Sequence, residues 1–141
     1  MRSFTARRKV EFADTDMGGI VHFSKYFVFM ETAEHEFLEA LGSNVVLWRE
    51  GRQISWPRVS VSCEYAGPLR FGDQVEIRVQ VRRKGTKSLT YDFVFVRDGE
   101  ELAKGSMTSV CCEVGDHELR AIPIPDEIAG QIEEDGTSCS A

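Results

Sequence analysis

A change in the spacing of apolar residues at Phe23 constrains the fold of this chain more than any other feature. From there to Leu41 the apolar side chains recur every three or four residues, which places them on one face of an α-helix. The members of this face are Phe23, Tyr26, Phe27, Met30, Ala33, Phe37, Leu38 and Leu41. The opposite face carries Glu31, Glu34, Glu36 and Glu39. Ser24 can cap the start and Gly42 fits just past the end, so the pattern predicts one long helix.

Strict alternation of apolar and polar residues elsewhere in the chain predicts β-strands. The alternating segments are residues 4–12, 59–65, 75–82, 89–95 and 102–114. In the first segment, the apolar side consists of Phe4, Ala6, Val10 and Phe12. Residues 84–86 and 97–100 read as hairpin connections, the second with an Asp-Gly pair that favours a tight turn. The sequence therefore predicts an α+β fold, with one long helix and an antiparallel sheet of about five strands.

The rest of the chain carries weaker signals. Residues 44–51 are expected to add a short helical turn around Trp48. With 141 residues and no linker, we expect a single domain over residues 1–141, whose tail is loose from about residue 130. One helix covers only one face of a sheet, so the other face or the sheet edge must meet solvent or a second subunit. We therefore expect a homo-oligomer.

The charge and cysteine content narrow the classes of function. A formal net charge of -6 and a pI near 5.1 argue against nucleic acid as a partner, because phosphate binding normally needs a basic surface. No apolar run is long enough to span a membrane, and the N-terminus lacks the apolar stretch of a signal peptide. The four cysteines form no Cys-x-x-Cys pair, which indicates free thiols in a reducing cytoplasm.

The segment from Glu11 to Tyr26 carries the chemistry. It places two carboxylates, Asp14 and Asp16, and the glycines at 18 and 19 directly before the start of the predicted helix. Unpaired backbone N–H groups and the positive end of the helix dipole gather at such a start, so an oxyanion can be held there without a cationic side chain. A carboxylate facing that place can act as a nucleophile or as a general base.

This segment, Asp-Thr-Asp-Met-Gly-Gly-Ile-Val-His-Phe-Ser-Lys-Tyr over residues 14–26, resembles the signature of the 4-hydroxybenzoyl-CoA thioesterase family. The resemblance extends over nearly the whole chain, with supporting landmarks at residues 68–73 and 120–125. It implies the hotdog fold, in which a curved antiparallel sheet wraps one long helix. It also implies hydrolysis of an acyl- or aroyl-CoA to the free acid and coenzyme A, with coenzyme A as part of the substrate and no separate cofactor.

The resemblance also assigns roles to residues. The family's catalytic aspartate falls on Asp16, and the backbone N–H that polarises the thioester carbonyl falls on Phe23. Asp14 is then expected to brace the loop. Gly19, His22 and Tyr26 are expected beside the substrate, although some relatives carry their histidine one position later than His22. The resemblance implies a dimer or a tetramer in which the pocket forms between subunits.

A basic hairpin is the expected partner of the coenzyme A phosphates. Residues 82–88 supply four cations in an otherwise acidic chain, and the corresponding region of the resembling family contacts the nucleotide. The residues implicated are Arg83, Lys84, Lys87 and Ser88. The simpler interpretation is that such a hairpin is merely solvated.

Other functions fit the residues less well. The three histidines lack the spacing of metal ligands, so no metal site is expected. A hydratase or dehydratase acting on acyl thioesters would need a His–Asp or His–Glu pair. An acyl-CoA-binding or sensing module without activity has no need of a carboxylate at Asp16. The identity of the acyl group, and the choice between nucleophile and general base, stay open.

Overall fold

The computed structural model describes residues 3–44 and 47–134. Cys139 and the end of the predicted tail lie outside these residues, as do residues 45 and 46 of the predicted helical turn. The strands are β1 (Ser3–Lys9), β2 (Leu47–Arg49), β3 (Arg52–Ser55), β4 (Arg58–Tyr65), β5 (Gln74–Lys84), β6 (Ser88–Arg97), β7 (Glu100–Val110), β8 (Cys112–Val114) and β9 (Leu119–Ala121). The helices are α1 (Lys25–Ala40) and α2 (Asp126–Ala129), and Phe12–Asp14 forms one 3-10 turn.

Five strands form the main sheet in the order β1-β5-β6-β7-β4, and all neighbours are antiparallel. They occupy the five segments in which apolar and polar residues alternate. Both predicted hairpins are confirmed. At the β6–β7 turn, Asp98 and Gly99 both have positive φ angles, of 50° and 78°, as a tight two-residue hairpin turn requires.

Helix α1 lies against the inner face of the main sheet. Its apolar stripe joins the inward side chains of β1, β5, β6 and β7 in one buried core. The ring of Phe37, for example, meets Phe4 at 6.3 Å and Tyr91 at 5.8 Å between ring centroids, both edge-on. Gly42 follows the helix with φ +80°, and its N–H donates to Glu39 O, so the predicted end is confirmed.

A second sheet of four short strands, in the order β2-β3-β8-β9, was not predicted. The predicted turn of helix around Trp48 is wrong, because Trp48 lies in β2. The long final strand predicted for residues 102–114 is divided at Cys111 into β7 and β8. The backbone of Cys111 pairs elsewhere: its N–H donates to Lys87 O, and its carbonyl accepts from Ile122 N–H.

Two further predictions also need correction. The alternation predicts Phe12 on the buried side of β1, but the strand ends at Lys9 and Phe12 is 78% exposed in the 3-10 turn. The predicted loose tail does not begin at residue 130. Ile132 is buried, and the side-chain amide of Gln131 donates to Leu41 O at 2.9 Å.

The glutamate face predicted for α1 is not entirely at the surface. Glu34 is fully buried, where it accepts a hydrogen bond of 2.8 Å from Ser109 Oγ and forms an ion pair with Arg58. Burial raises the pKa of the Glu34 carboxyl, and the nearby Arg58 charge and the hydrogen bonds oppose that rise.

Strand β4 forms one edge of the main sheet, and α1 leaves part of its inner face uncovered. Val59 and Val61 are 64% and 46% exposed there, and Val28 of α1 is also exposed. An apolar edge strand of this kind is a template for pairing with another chain. Neither helix is long and apolar enough to cross a membrane within the residues that the structure describes.

Candidate active site

The loop between β1 and α1 is held in place by Asp14. This side chain is 5% exposed, and its Oδ2 accepts a hydrogen bond of 2.9 Å from Glu11 N–H. Its Oδ1 lies 3.9 Å from the guanidinium of Arg8, which in turn stacks over the ring of Phe29. The Asp14 carbonyl accepts from His22 N–H at 2.9 Å, which brings the two ends of the loop together. Asp14 is therefore a bracing residue in this structure.

Asp16 opens a tight turn at the tip of the same loop. Its N–H donates to Ile20 O, and its carbonyl accepts from Gly19 N–H. The side chain is exposed, and Oδ1 accepts a hydrogen bond of 2.8 Å from Gly18 N–H. Gly19 has φ +79°, a conformation that other residues rarely adopt. The turn thus fixes one oxygen of the carboxylate and leaves Oδ2 without a partner among the described residues.

The start of α1 is arranged differently from the prediction. Ser24 occupies the capping position, but its side chain accepts no hydrogen bond from the helix backbone. Instead, Ser24 Oγ lies 2.8 Å from Nδ1 of His22, and the Ser24 N–H donates to the same nitrogen at 3.3 Å. Because Nδ1 accepts, a neutral His22 ring carries its proton on Nε2. The imidazole thus accepts from the backbone just before the helix, and its ring centroid lies 4.6 Å from that of Phe23.

The backbone N–H of Phe23, just before α1, is free to bind a substrate. It donates no hydrogen bond within residues 3–44 and 47–134, whereas the carbonyl of His22 before it is occupied by Lys25 N–H at 2.9 Å. The Phe23 side chain is 63% exposed. Its carbonyl accepts a hydrogen bond of 2.9 Å from the hydroxyl of Tyr65, at the end of β4.

Tyr26 lies beneath these residues. Its ring is 3% exposed and packs edge-on against Tyr65 at 4.8 Å and Phe95 at 5.2 Å. Burial raises the pKa of Tyr26, so its hydroxyl stays protonated at neutral pH. In this chain Tyr26 is thus a buried support for Tyr65, and its contact with substrate stays a prediction.

The basic hairpin between β5 and β6 is placed apart from the helix start. Ser88 pairs with Val110 at one end of the sheet, whereas Tyr65, beside Phe23, pairs through Ala103 with Phe95 near the other end. Seven residues of β6 separate these ends, a distance of about 20 Å. A single chain does not bring the hairpin and the carboxylate of Asp16 together.

The hairpin cations also differ among themselves. Lys84 Nζ donates to the carbonyls of Ala129 and Ile132, both at 3.0 Å, so it anchors the C-terminal segment. Arg83 and Lys87 are exposed, and their side chains form no ion pair within the described residues. Two of the predicted cations are therefore available for phosphate groups. Ser88 lies at the start of β6, and its carbonyl accepts from Gly85 N–H.

A cavity of about 530 Å³ opens on the outer face of the main sheet. Its lining includes Tyr65 together with polar side chains from four strands, namely Glu64, Arg82, Asp92, Lys104 and Ser106. None of the site residues predicted from the sequence lies in its wall. Among the described residues, no cluster of histidine, cysteine or carboxylate side chains is placed to hold a metal ion.

One residue that carries the site's geometry, Tyr65, and one contact of His22 were not predicted from the sequence. Tyr65 is the last residue of an alternating segment, and nothing local shows that its hydroxyl reaches a residue 42 positions away. Its pKa is raised to about 12 by burial and by the neighbouring Cys63, so it serves as a neutral donor. The contact of His22 with Ser24 was not predicted because a serine at this position is expected to cap the helix with its own side chain.

The chain is similar to several known proteins. A family model described as the thioesterase-like superfamily matches residues 10–132. A 1,4-dihydroxy-2-naphthoyl-CoA hydrolase of Nostoc punctiforme is 27% identical over 131 residues, which cover 93% of this chain and 87% of that protein. The acyl-CoA thioesterase YbgC of Haemophilus influenzae is 22% identical over 120 residues, covering 85% and 87% of the two chains. The solved structure of the gentisyl-coenzyme A thioesterase BH1999 superposes with a TM-score of 0.78 at 30% identity, covering 89% of this chain and 98% of that one.

Proposed function

The chain belongs to the thioesterase-like superfamily, and from that premise we propose that it hydrolyses an acyl- or aroyl-CoA to the free acid and coenzyme A. The relatives named above act on aroyl-CoA and acyl-CoA thioesters, which supports this substrate class. Within the superfamily, the signature at residues 14–26 favours the 4-hydroxybenzoyl-CoA thioesterase branch.

The unoccupied Phe23 N–H at the start of a 16-residue helix is the observation that carries the proposal. A thioester carbonyl placed there receives a hydrogen bond, and the aligned helix dipole lies behind it. As the carbonyl carbon becomes tetrahedral, its oxygen gains negative charge, and both effects strengthen. A fixed donor of this kind lowers the barrier because it costs no reorganisation during the reaction.

Asp16 acts as the nucleophile or as the general base, in one of two routes. In the first, its carboxylate adds to the carbonyl carbon, the C–S bond breaks with departure of the coenzyme A thiolate, and water then hydrolyses the resulting anhydride. In the second, the carboxylate takes a proton from a water molecule that adds to the carbonyl carbon, and the C–S bond again breaks with departure of the coenzyme A thiolate. Both routes consume one water and release one acid and one thiol. The bond from Gly18 N–H holds one oxygen of Asp16, so the other can face the substrate.

We propose that the active unit is at least a dimer formed along the β4 edge. In an antiparallel pairing of two β4 strands, the Tyr65 end of one chain lies beside the Arg58 end of the other. The Arg58 end is also the hairpin end of the sheet, because Arg58 pairs with Ser109 and Val110 pairs with Ser88. The partner's hairpin, with Arg83 and Lys87, would then approach the site at Phe23 and meet the coenzyme A phosphates.

Thiol release from a panel of aroyl-, short-chain and long-chain acyl-CoA substrates tests the function. We expect the wild type to release thiol from at least one class, and Asp16→Asn to abolish most of that release. Asp98→Asn is the matched control, since it makes the same chemical change at an exposed turn with a positive φ angle that asparagine tolerates. A folded wild type that binds coenzyme A but hydrolyses no thioester would instead indicate a binding module.

A further inference from the structure

The hydroxyl of Tyr65 joins strand β4 to Phe23, the residue whose N–H is proposed to bind the thioester carbonyl. It donates to Phe23 O at 2.9 Å, across 42 positions of sequence. In a regular helix that carbonyl would accept from the N–H four residues later. Here the Phe27 N–H donates to Ser24 O at 3.2 Å instead, so the Phe23 carbonyl is left for Tyr65.

The direction of the Phe23 N–H depends on the peptide groups on its two sides. The preceding group, which contains this N–H, is held because His22 O accepts from Lys25 N–H. The following group is held at one end by Tyr65 and at the other by the bond from Ser24 N–H to His22 Nδ1. Both peptide planes at Phe23 are therefore fixed, and Tyr65 is the contribution that comes from the sheet.

Tyr65 is itself well supported for a residue that is 45% exposed. Its ring meets the buried ring of Tyr26 at 4.8 Å and nearly at a right angle, 82°. Tyr26 in turn packs on Phe95 of β6. The donor is thus mounted on the core, which is the condition for holding a catalytic group within a fraction of an ångström.

We propose that Tyr65 is a positioning residue for hydrolysis, whose hydroxyl holds the Phe23 N–H in the direction that the thioester oxyanion requires. This inference rests on the function proposed above. It predicts that loss of the hydroxyl lowers turnover and leaves ground-state binding unchanged, because the bond orients a group whose interaction grows only in the transition state.

The test is Tyr65→Phe, measured beside the wild type for kcat, for KM and for the midpoint of thermal unfolding. We expect kcat to fall about tenfold, with KM within about twofold of the wild type and the unfolding midpoint nearly unchanged. The matched control is Tyr91→Phe, which removes a hydroxyl from a fully buried ring of β6. In that variant we expect unchanged kcat, whatever happens to the unfolding midpoint. In Tyr65→Phe, the amide resonance of Phe23 or Ser24 in a ¹H–¹⁵N spectrum is expected to shift.

The other outcomes overturn the inference. A Tyr65→Phe enzyme with wild-type kcat shows that the hydroxyl does not position the donor. A parallel loss of kcat and of thermal stability assigns the hydroxyl to the fold alone, as does an unchanged Phe23 and Ser24 amide resonance. A folded wild type that hydrolyses no thioester refutes the proposed function itself, and this failure is recognised from the wild type before any variant is compared.

Discussion

The Ser109 hydroxyl donates a hydrogen bond of 2.8 Å to the carboxylate of Glu34 in the middle of α1, where that carboxylate has no exposure to solvent. Arg58, the first residue of β4, forms an ion pair with the other carboxylate oxygen. This group of three side chains ties the helix to β7 and to the edge strand β4. It lies apart from the loop that carries Asp16.

Removal of one partner of this ion pair should be costly. We expect Arg58→Met to lower the free energy of unfolding by about 3 kcal/mol, because Glu34 is left as an uncompensated buried charge. The double variant Glu34→Gln with Arg58→Met should recover most of that loss, since no charge then remains in the core. Urea unfolding of the wild type, both single variants and the double variant measures the coupling. If the losses in unfolding free energy of the two single variants simply add in the double variant, the two side chains do not form a coupled buried pair.

Stability should depend on pH through Glu34. Burial raises the pKa of this carboxyl above its ordinary value of 4.5, so the folded state binds the proton more tightly than the unfolded chain does. Its contribution therefore favours folding below the ordinary pKa and is lost as the pH rises through the folded-state pKa. We expect the stability of Glu34→Gln to rise relative to that of the wild type between about pH 4 and pH 7. Parallel curves from urea unfolding over this range would refute the assignment.

The two aspartates of the loop should respond differently to the same substitution. Asp16→Asn should keep the turn, because the amide oxygen can still accept from Gly18 N–H, and should lower kcat by at least about a hundredfold. Asp14→Asn should mainly lower the free energy of unfolding, by about 1–2 kcal/mol, because a buried acceptor loses its charge beside Arg8. Kinetics and thermal melts of both variants decide the matter. The roles are reversed if Asp14→Asn loses turnover at full stability while Asp16→Asn stays active.

The sequence predicts the main elements because their signals are local and periodic. Alternation gives the five strands of the main sheet within a few residues, and the spacing of three and four gives α1. The small second sheet escapes prediction because its strands have three or four residues, too few for a period to show. Trp48 illustrates this: its three-residue strand is defined by its pairing with β3, in which Gln53 lies opposite Trp48.

The site residues likewise fall into those that a local motif can locate and those that only tertiary packing brings together. Asp16, the two glycines and Phe23 lie in one short segment, and a short motif can locate them. Tyr65 reaches Phe23, and Glu34 reaches Arg58, only through the packing of α1 on β4. Glu34 also occupies a helix position that its neighbours would assign to solvent. Contacts of this kind depend on strand order, which local patterns do not contain.

The three hairpin cations predicted to bind phosphate should fall into two groups. Lys84→Met should lower stability by about 1–2 kcal/mol, since its ammonium group donates to two carbonyls of the C-terminal segment. Arg83→Ala and Lys87→Ala should leave stability unchanged and raise KM severalfold, more so at low salt, if they meet the phosphates. KM measured with acyl-CoA and with the shorter acyl-pantetheine separates the two effects, because only the first carries the nucleotide phosphates. Equal KM changes for both substrates would rule out a phosphate contact.

The exposed valines of β4 should hold two chains together. Val61→Lys places a charge among the exposed apolar side chains of the β4 edge, so we expect the dimer dissociation constant to rise at least about tenfold. Leu119→Lys is the control, since Leu119 is equally apolar and 54% exposed, but lies on β9 of the small sheet. Sedimentation equilibrium gives the association state of each protein. If the partner's hairpin serves the site, specific activity in Val61→Lys should fall on dilution in step with dissociation, whereas the activity of Leu119→Lys should not. An active wild-type monomer would contradict both the interface and the shared site.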